Sequence, residues 1–298
     1  MLKRIALMTS GGDAPGMNAF IRATTRYALD KGIEVFGILE GYQGMIDNQI
    51  KILPREQTVN IIQRGGTILK TSRSQEFMTE AGREKAAANL NALNIDGLIC
   101  CGGDGSYAAL VAFQKQWSGQ MIGLPGTIDN DVAGTDFTIG FDTAVNTAVT
   151  VIDKLRDTGD AHSMHFIVEV MGRHCGDIAQ AVGEASGAEY ILIPETVSNL
   201  DEIYQAIQVK GHNIVVVAEG DELGGAYQIA KMLEQKSTSG KSFRVCILGH
   251  IQRGGSPTAR DRILASSMGI KAVDALIAGE SLKAVAEVNQ NYILTQLG

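Results

Sequence analysis

The 298-residue chain has only four cysteines, Cys100, Cys101, Cys175 and Cys246. None forms a CxxC pair or a zinc-binding spacing, which excludes a disulfide framework and a zinc module. Long apolar runs are also missing. Pieces such as Ile214–Ala218 fall far short of the roughly 18 residues a membrane span needs. Basic residues number 26 against 33 acidic ones, a net charge of −7. That balance argues against bulk binding to a nucleic-acid backbone. The first residues run straight into glycines, too soon for a secretory signal. A cytoplasmic protein with free thiols, and neither membrane nor nucleic acid as partner, is expected. No GxxxxGK[ST] motif occurs, because position 235 is Gln where Gly240-Lys241-Ser242 would need a leading glycine. Any nucleotide is therefore held without a P-loop.

What the chain has in excess is glycine: 35 residues against 5 prolines. At about 12% this exceeds the usual value of about 7%. The glycines cluster at Gly11-Gly12, Gly65-Gly66, Gly102-Gly103-Gly105 and Gly254-Gly255, where a backbone can approach a ligand closely.

Short β-branched runs alternate with stretches of helical period. Strands are expected near 4–8, 35–39, 98–101, 121–123, 166–170, 190–193, 214–218 and 244–248. Helices are expected near 80–93, 106–116, 143–156, 176–185, 200–209, 226–234 and 260–278. A first helix places Phe20, Ala23, Thr24, Tyr27 and Ala28 on one face, closed by Lys31-Gly32. This alternation predicts an α/β fold of two doubly wound, Rossmann-like parallel-sheet domains with a cleft between them. One eight-stranded barrel is disfavoured by the long connections at 40–75 and 124–142. The recurrence of Gln-Arg-Gly-Gly at 63–66 and 252–255 is too short to mark a duplication.

Three turns can carry chemistry. Cys101-Gly-Gly-Asp-Gly-Ser106 follows a strand and opens a helix, where backbone N–H groups attract phosphate. Asp104 inside that turn would repel a bare pyrophosphate, but suits a Mg²⁺ ion bridging it to phosphate oxygens. The plain alternative is a helix cap. A dinucleotide site is disfavoured, because Met121–Pro125 ends without the ribose-binding acid. Pro125-Gly-Thr-Ile-Asp-Asn-Asp131 sets two carboxylates in one short turn, suited to a base and a supporting acid. An ordinary Asp/Asn turn is the plain alternative. Thr9–Gly16 exposes backbone donors after the first strand. Met171-Gly-Arg173, Arg244 and His250-Ile-Gln-Arg253 are expected just past strand ends, where arginine forks suit an anionic substrate. Arg22 and Arg26, at i and i+4 on the first helix, repel each other unless an anion or an acidic side chain joins them.

Taken together, Thr9–Asn18, Gly102–Ser106, Pro125–Asp131, Val168–Asp177 and Gly249–Pro257 resemble the bacterial ATP-dependent 6-phosphofructokinases, in order and over nearly the whole chain. The resemblance implies phosphoryl transfer from Mg·ATP to the 1-hydroxyl of fructose 6-phosphate. Asp129 would take the hydroxyl proton, Thr127, Arg173 and Gly11 would hold the transferring phosphoryl, and Asp131 would support the turn. Gly11, Arg73, Gly103, Asp104, Gly105 and Ser106 would bind ATP, with Asp104 on Mg²⁺. Thr127, Asp129, Met171, Gly172, Arg173, Glu219, Arg244, His250 and Arg253 would meet the sugar phosphate. Residues 1–139 with about 252–290 would form the nucleotide domain, and 140–251 the sugar-phosphate domain. Arg22, Arg26, Arg55, Arg156, Glu189 and Lys210 would bind an ADP or phosphoenolpyruvate effector in a homotetramer with shared active sites.

Pyrophosphate-dependent members carry an acid at position 105 and a lysine at 126. Both are glycine here, which favours ATP. Two departures stand out. Met164 replaces an arginine that reaches the sugar phosphate from a neighbouring subunit. That predicts a raised Michaelis constant, compensation by His165, or another sugar substrate. The C-terminal segment is also shorter than the family's, and a kinase for a related sugar phosphate, a pyrophosphate-dependent phosphofructokinase or a non-catalytic nucleotide-binding paralogue are the alternative readings.

Overall fold

Strands that are apolar along their whole length bury both faces, and only a parallel sheet covered by helices offers that environment. Ile214–Ala218 and Gly97–Gly102 are buried at every position. The computed structural model describes residues 2–162, 164–208, 212–237 and 242–297. In chain order the elements are β1 (Arg4–Thr9), α1 (Met17–Asp30), β2 (Glu34–Ile38), α2 (Gly41–Ile46), β3 (Ile50–Ile52), α3 (Glu80–Ala92), β4 (Gly97–Gly102) and α4 (Asp104–Phe113). There follow β5 (Gln120–Thr127), β6 (Ile139–Gly140), α5 (Phe141–His162), β7 (His165–Val170), α6 (Asp177–Ser186), β8 (Tyr190–Leu192), α7 (Leu200–Ala206) and β9 (Ile214–Ala218). Last come α8 (Gly225–Lys236), β10 (Phe243–Ile247), α9 (Ala259–Ile277), β11 (Lys283–Val288) and β12 (Asn291–Gln296).

The chain divides into two compact units. The first is Met1–Thr127, Asp131–Gly140 and Arg253–Gly298; the second is Ile128–Asn130 and Phe141–Gln252. Ile128–Asn130 thus group with the second unit, although the residues on either side of them group with the first.

In the first unit the strand order is β12-β11-β5-β4-β1-β2-β3, with β6 beside β5. The strands from β11 to β2 run parallel, and antiparallel β3 and β12 close the edges. The chain runs from β1 to β2 on one side and takes up β4 on the other, so a topological switch point lies between β1 and β4. Ligands in such sheets bind beyond the carboxyl ends of the strands at that point. Tyr42, Phe77, Phe113 and Trp117 form a run of aromatic contacts, with centroids 4.2, 5.4 and 5.7 Å apart, inside the core on one face. Helix α1 buries Met17, Phe20, Ile21, Thr24 and Ala28. Ala23 and Tyr27, expected on that face, are half-buried. Tyr27 instead donates its hydroxyl to Asp274 on α9 at 2.8 Å.

The second unit is a four-stranded parallel sheet in the order β10-β7-β9-β8. Its core joins Ile167, Val215 and Val217 to Ile203, Ile207, Ile229 and Leu233 of the covering helices. The connections β7–α6, β9–α8 and β10–α9 all leave from the carboxyl ends of parallel strands.

Candidate active site

At the switch point of the first unit, two glycine-rich turns touch. The Ser10 N–H donates to the Cys101 carbonyl at 2.9 Å, and the Ser106 hydroxyl donates to Ser10 Oγ at 2.9 Å. Neither α1 nor α4 has a side-chain cap; their N-caps are Gly16 and Gly103. The Met17 N–H that opens α1 already donates to the Ala14 carbonyl at 3.2 Å, and in α4 the Ser106 N–H donates to the Gly103 carbonyl at 2.9 Å. The uncapped start of α4, at Asp104 and Gly105, is the one that suits an anion. Asp104 opens α4 rather than capping it, so the capping alternative is not realised. Thr127 is buried at the end of β5, its carbonyl accepting from Thr138 Oγ1 at 2.7 Å. The Gly140 N–H donates to buried Asp261 at 2.9 Å, which fixes the return of the 127–140 segment. A Cβ on Gly105 would meet nothing within 4 Å, whereas one on Gly126 would overlap the Cys101 sulfur.

Partial desolvation, and then the Asp131 charge, raise the Asp104 carboxyl above its ordinary range. A cation beside Asp104 would offset both causes. Among the described residues no group of three or more metal-ligating side chains exists. The carboxylates that are present fit Mg²⁺, which takes one or two of them plus phosphate oxygens and water. Arg73 is exposed on a segment tied down by Ser72 Oγ donating to the Glu40 carbonyl at 2.9 Å and Ser74 Oγ donating to Gln43 at 2.7 Å. Arg253 belongs to this unit, where its guanidinium covers Gly12.

The second unit collects a different set. Asp129 is 1% exposed, and the Arg173 Nε lies 3.5 Å from its Oδ2. Asn130 donates its amide to Asp177 at 2.8 Å. Both Asn130 (φ 57°) and Arg173 (φ 54°) occupy the left-handed region, uncommon for residues other than glycine and concentrated at functional sites. The Arg173 turn follows β7. Glu219, just past β9, accepts from the Arg173 N–H at 2.8 Å and the Gly172 N–H at 3.3 Å. Met171 donates its N–H to Gln252 Oε1 at 2.9 Å, and Gln252 is fully buried. Sequence reasoning passed over Gln252 and Asn130; their positions inside the glycine and aspartate turns were the available signal. His250 is exposed just beyond β10.

Arg244 does not join this set. It was expected past a strand end, but it lies within β10, opposite Phe166, near the strand's amino end. It lines a separate groove with Tyr227, Lys231 and Glu234. Strand pairing with β7 extends back to Phe243, one residue earlier than the apolar run suggested. Compensation by His165 is also corrected. His165 is 7% exposed and its ring packs 5.7 Å from Phe243, because β7 is buried along almost its whole length.

The proposed effector residues fall in both units. In the first, Arg55 pairs with Asp30, and Arg26 Nε donates to Thr58 at 3.1 Å beside Arg22 on the same helix. In the second, Arg156 lies 4.0 Å from Glu189 and 3.3 Å from the His212 ring. Lys210 lies outside the described residues.

The model of the family described as phosphofructokinase matches residues 4–276. The chain belongs to the phosphofructokinase family. A curated ATP-dependent 6-phosphofructokinase of Clostridium botulinum is 52% identical over 297 residues, covering 98% of this chain and 92% of that protein. The ATP-dependent 6-phosphofructokinase 1 of Thermus thermophilus is also 52% identical, over 99% of this chain and 93% of its own length. Among solved phosphofructokinase structures, that from Saccharomyces cerevisiae superposes with a TM-score of 0.93 at 36% identity, over 99% of this chain. This chain spans 45% of the length of the yeast chain. A pyrophosphate-dependent phosphofructokinase from Marinobacter aquaeolei shares the fold, with a TM-score of 0.86 at 23% identity over 99% of this chain and 81% of that one.

Proposed function

We propose that this chain is a cytoplasmic enzyme transferring the terminal phosphoryl group of ATP to the 1-hydroxyl of fructose 6-phosphate. The observation that carries the reading is the buried Asp129 carboxylate, 3.5 Å from the Arg173 guanidinium. Relatives 52% identical over 297 residues are ATP-dependent 6-phosphofructokinases. Phosphoryl transfer asks mainly for positioning and charge stabilisation. Asp129 accepts the proton of the attacking hydroxyl, and Arg173 neutralises charge on the transferring group. Thr127 and the Gly11 N–H orient that group, and Asp131 supports the turn. Gly103, Gly105, Ser106 and Arg73 hold the ATP.

Asp104, with Asp131 nearby, would hold Mg²⁺, which neutralises phosphate charge when bound. Open space at Gly105 leaves room for a nucleoside, and the packed Gly126 has no place for a lysine, so ATP is the donor. Met171, Gly172, Glu219, His250 and Arg253 contact the sugar phosphate. Arg244 sits roughly 16 Å along the sheet from Met171, five residues at about 3.3 Å each. As a sugar contact it serves a site in a neighbouring chain, in line with a homotetramer. Arg22, Arg26, Arg55, Arg156, Glu189 and Lys210 bind the ADP or phosphoenolpyruvate effector.

A coupled ADP-release assay over a panel of sugar phosphates, with ATP and pyrophosphate as donors, tests the reading. Turnover is expected with ATP and fructose 6-phosphate. Turnover only with pyrophosphate would overturn the donor, and turnover only with another sugar phosphate would make Met164 the mark of a changed acceptor.

A further inference from the structure

The repeated Gln-Arg-Gly-Gly segments are far apart in sequence and touch in the fold. Ser256 Oγ donates to the Gln63 carbonyl at 2.9 Å. The space a side chain on Gly65 would need is filled by the Gly255 peptide: a Cβ there would overlap the Gly255 oxygen and lie 3.1 Å from its carbon and nitrogen. Gly65, unlike Gly66 (φ 64°), is outside the left-handed region. An alanine at 65 therefore meets a packing conflict alone, with no backbone strain. The platform beneath is stiff. Asn18 on α1, 1% exposed, donates its amide to the carbonyls of Arg64 and Gly65 at 3.1 Å each, and accepts from the Ile68 N–H at 2.8 Å. Two residues before Gly255, the Arg253 guanidinium lies over Gly12, where a Cβ would be 3.1 Å from Cζ.

We propose that the two segments form a clasp in which Gly65 is a positioning residue: its missing side chain seats the Gly255 peptide and thereby holds Arg253 over the Gly11–Gly12 turn. The inference rests on the reading of Arg253 as a sugar-phosphate contact, and it adds a residue that touches neither substrate. A side chain at 65 must push the Gly255 peptide away by about 1 Å, because close-packed interiors have no slack to absorb it. Displacement of that size at a positioning group costs up to about 10²-fold in rate or binding.

The test is steady-state kinetics on the whole enzyme for Gly65→Ala, Ser256→Ala, Arg253→Ala and the Gly65→Ala/Arg253→Ala double variant. Gly65→Ala is expected to raise the KM for fructose 6-phosphate about tenfold while that for ATP changes less than about twofold. In the double variant the KM should be no higher than in Arg253→Ala alone, since residues acting through one group are not additive. Ser256→Ala removes the hydrogen bond to the Gln63 carbonyl, together with the one Ser256 accepts from Arg262, and keeps the proposal testable if Gly65→Ala does not fold. It should raise the same KM about threefold, and not at all once Arg253 is gone.

An unchanged KM in both Gly65→Ala and Ser256→Ala, equal changes for both substrates, or additive effects in the double variant would overturn the clasp while leaving Arg253 a contact. An unchanged KM in Arg253→Ala would instead overturn the reading of Arg253 itself, and the clasp's role with it.

Discussion

The candidate site of the first unit is mostly main chain: the uncapped start of α4, glycine turns joined by Ser10 and Ser106, and the carboxylates Asp104 and Asp131. The second presents side chains. Asn130 and Arg173, whose backbone lies in the left-handed region, flank or pair with Asp129, and Glu219 braces the turn from β9. Under the proposed function, the contrast matches two jobs. A polyphosphate is recognised by many weak donors and a metal, so a backbone cradle suffices. A proton must leave one particular hydroxyl, and that requires a side chain held at a fixed place, even at a conformational cost of about 1–3 kcal/mol per strained residue.

Substitutions sharpen this division. Asp129→Asn keeps the shape and removes the base, and should lower kcat by about 10³-fold with little change in either KM. If kcat stays within about tenfold, the second unit does not supply the base. Asp104→Asn should lower kcat by about 10²-fold and raise the magnesium requirement, read by titrating the metal at fixed ATP. Its pH dependence has a definite sign. The Asp104 carboxyl is raised in the folded chain, so its ionised form costs folding stability at neutral pH, and that cost disappears as pH falls and the group protonates. Asp104→Asn should therefore raise Tm at neutral pH, by an amount that shrinks toward acid. A gain that instead grows toward acid would contradict this.

Glu219→Ala takes the acceptor from the Arg173 and Gly172 N–H groups and should lower kcat about tenfold, with Glu219→Gln restoring most of the loss. The smallest effect expected is in Met164→Arg. A new charge-assisted hydrogen bond should lower the KM for fructose 6-phosphate by up to about tenfold, and an unchanged value would show that Met164 costs nothing.

Much of both units was legible in the sequence, because buried parallel strands and helix periodicity are local patterns. Eight strands and eight helices fall near their expected places. The β11–β12 hairpin was not legible. Its turn uses Asn289 and Gln290, both with positive φ, in place of the Asn-Gly pair that usually signals such a turn. Helix α2 and strand β3 are too short to show a period. Of the site, the glycine turns and the Thr127–Asp131 segment could be read directly, since their chemistry lies in adjacent residues. The position of Arg244, the burial of His165, the brace from Glu219 and the meeting of Gly65 with Gly255 depend on strand register and long-range packing, which spacing along the chain does not encode.

The most direct measurement of the account is ³¹P NMR of the products formed from Mg·ATP and fructose 6-phosphate. The account predicts ADP and a second sugar phosphomonoester on carbon 1, appearing in equal amounts. ADP accompanied by inorganic phosphate, with no sugar bisphosphate, would contradict it.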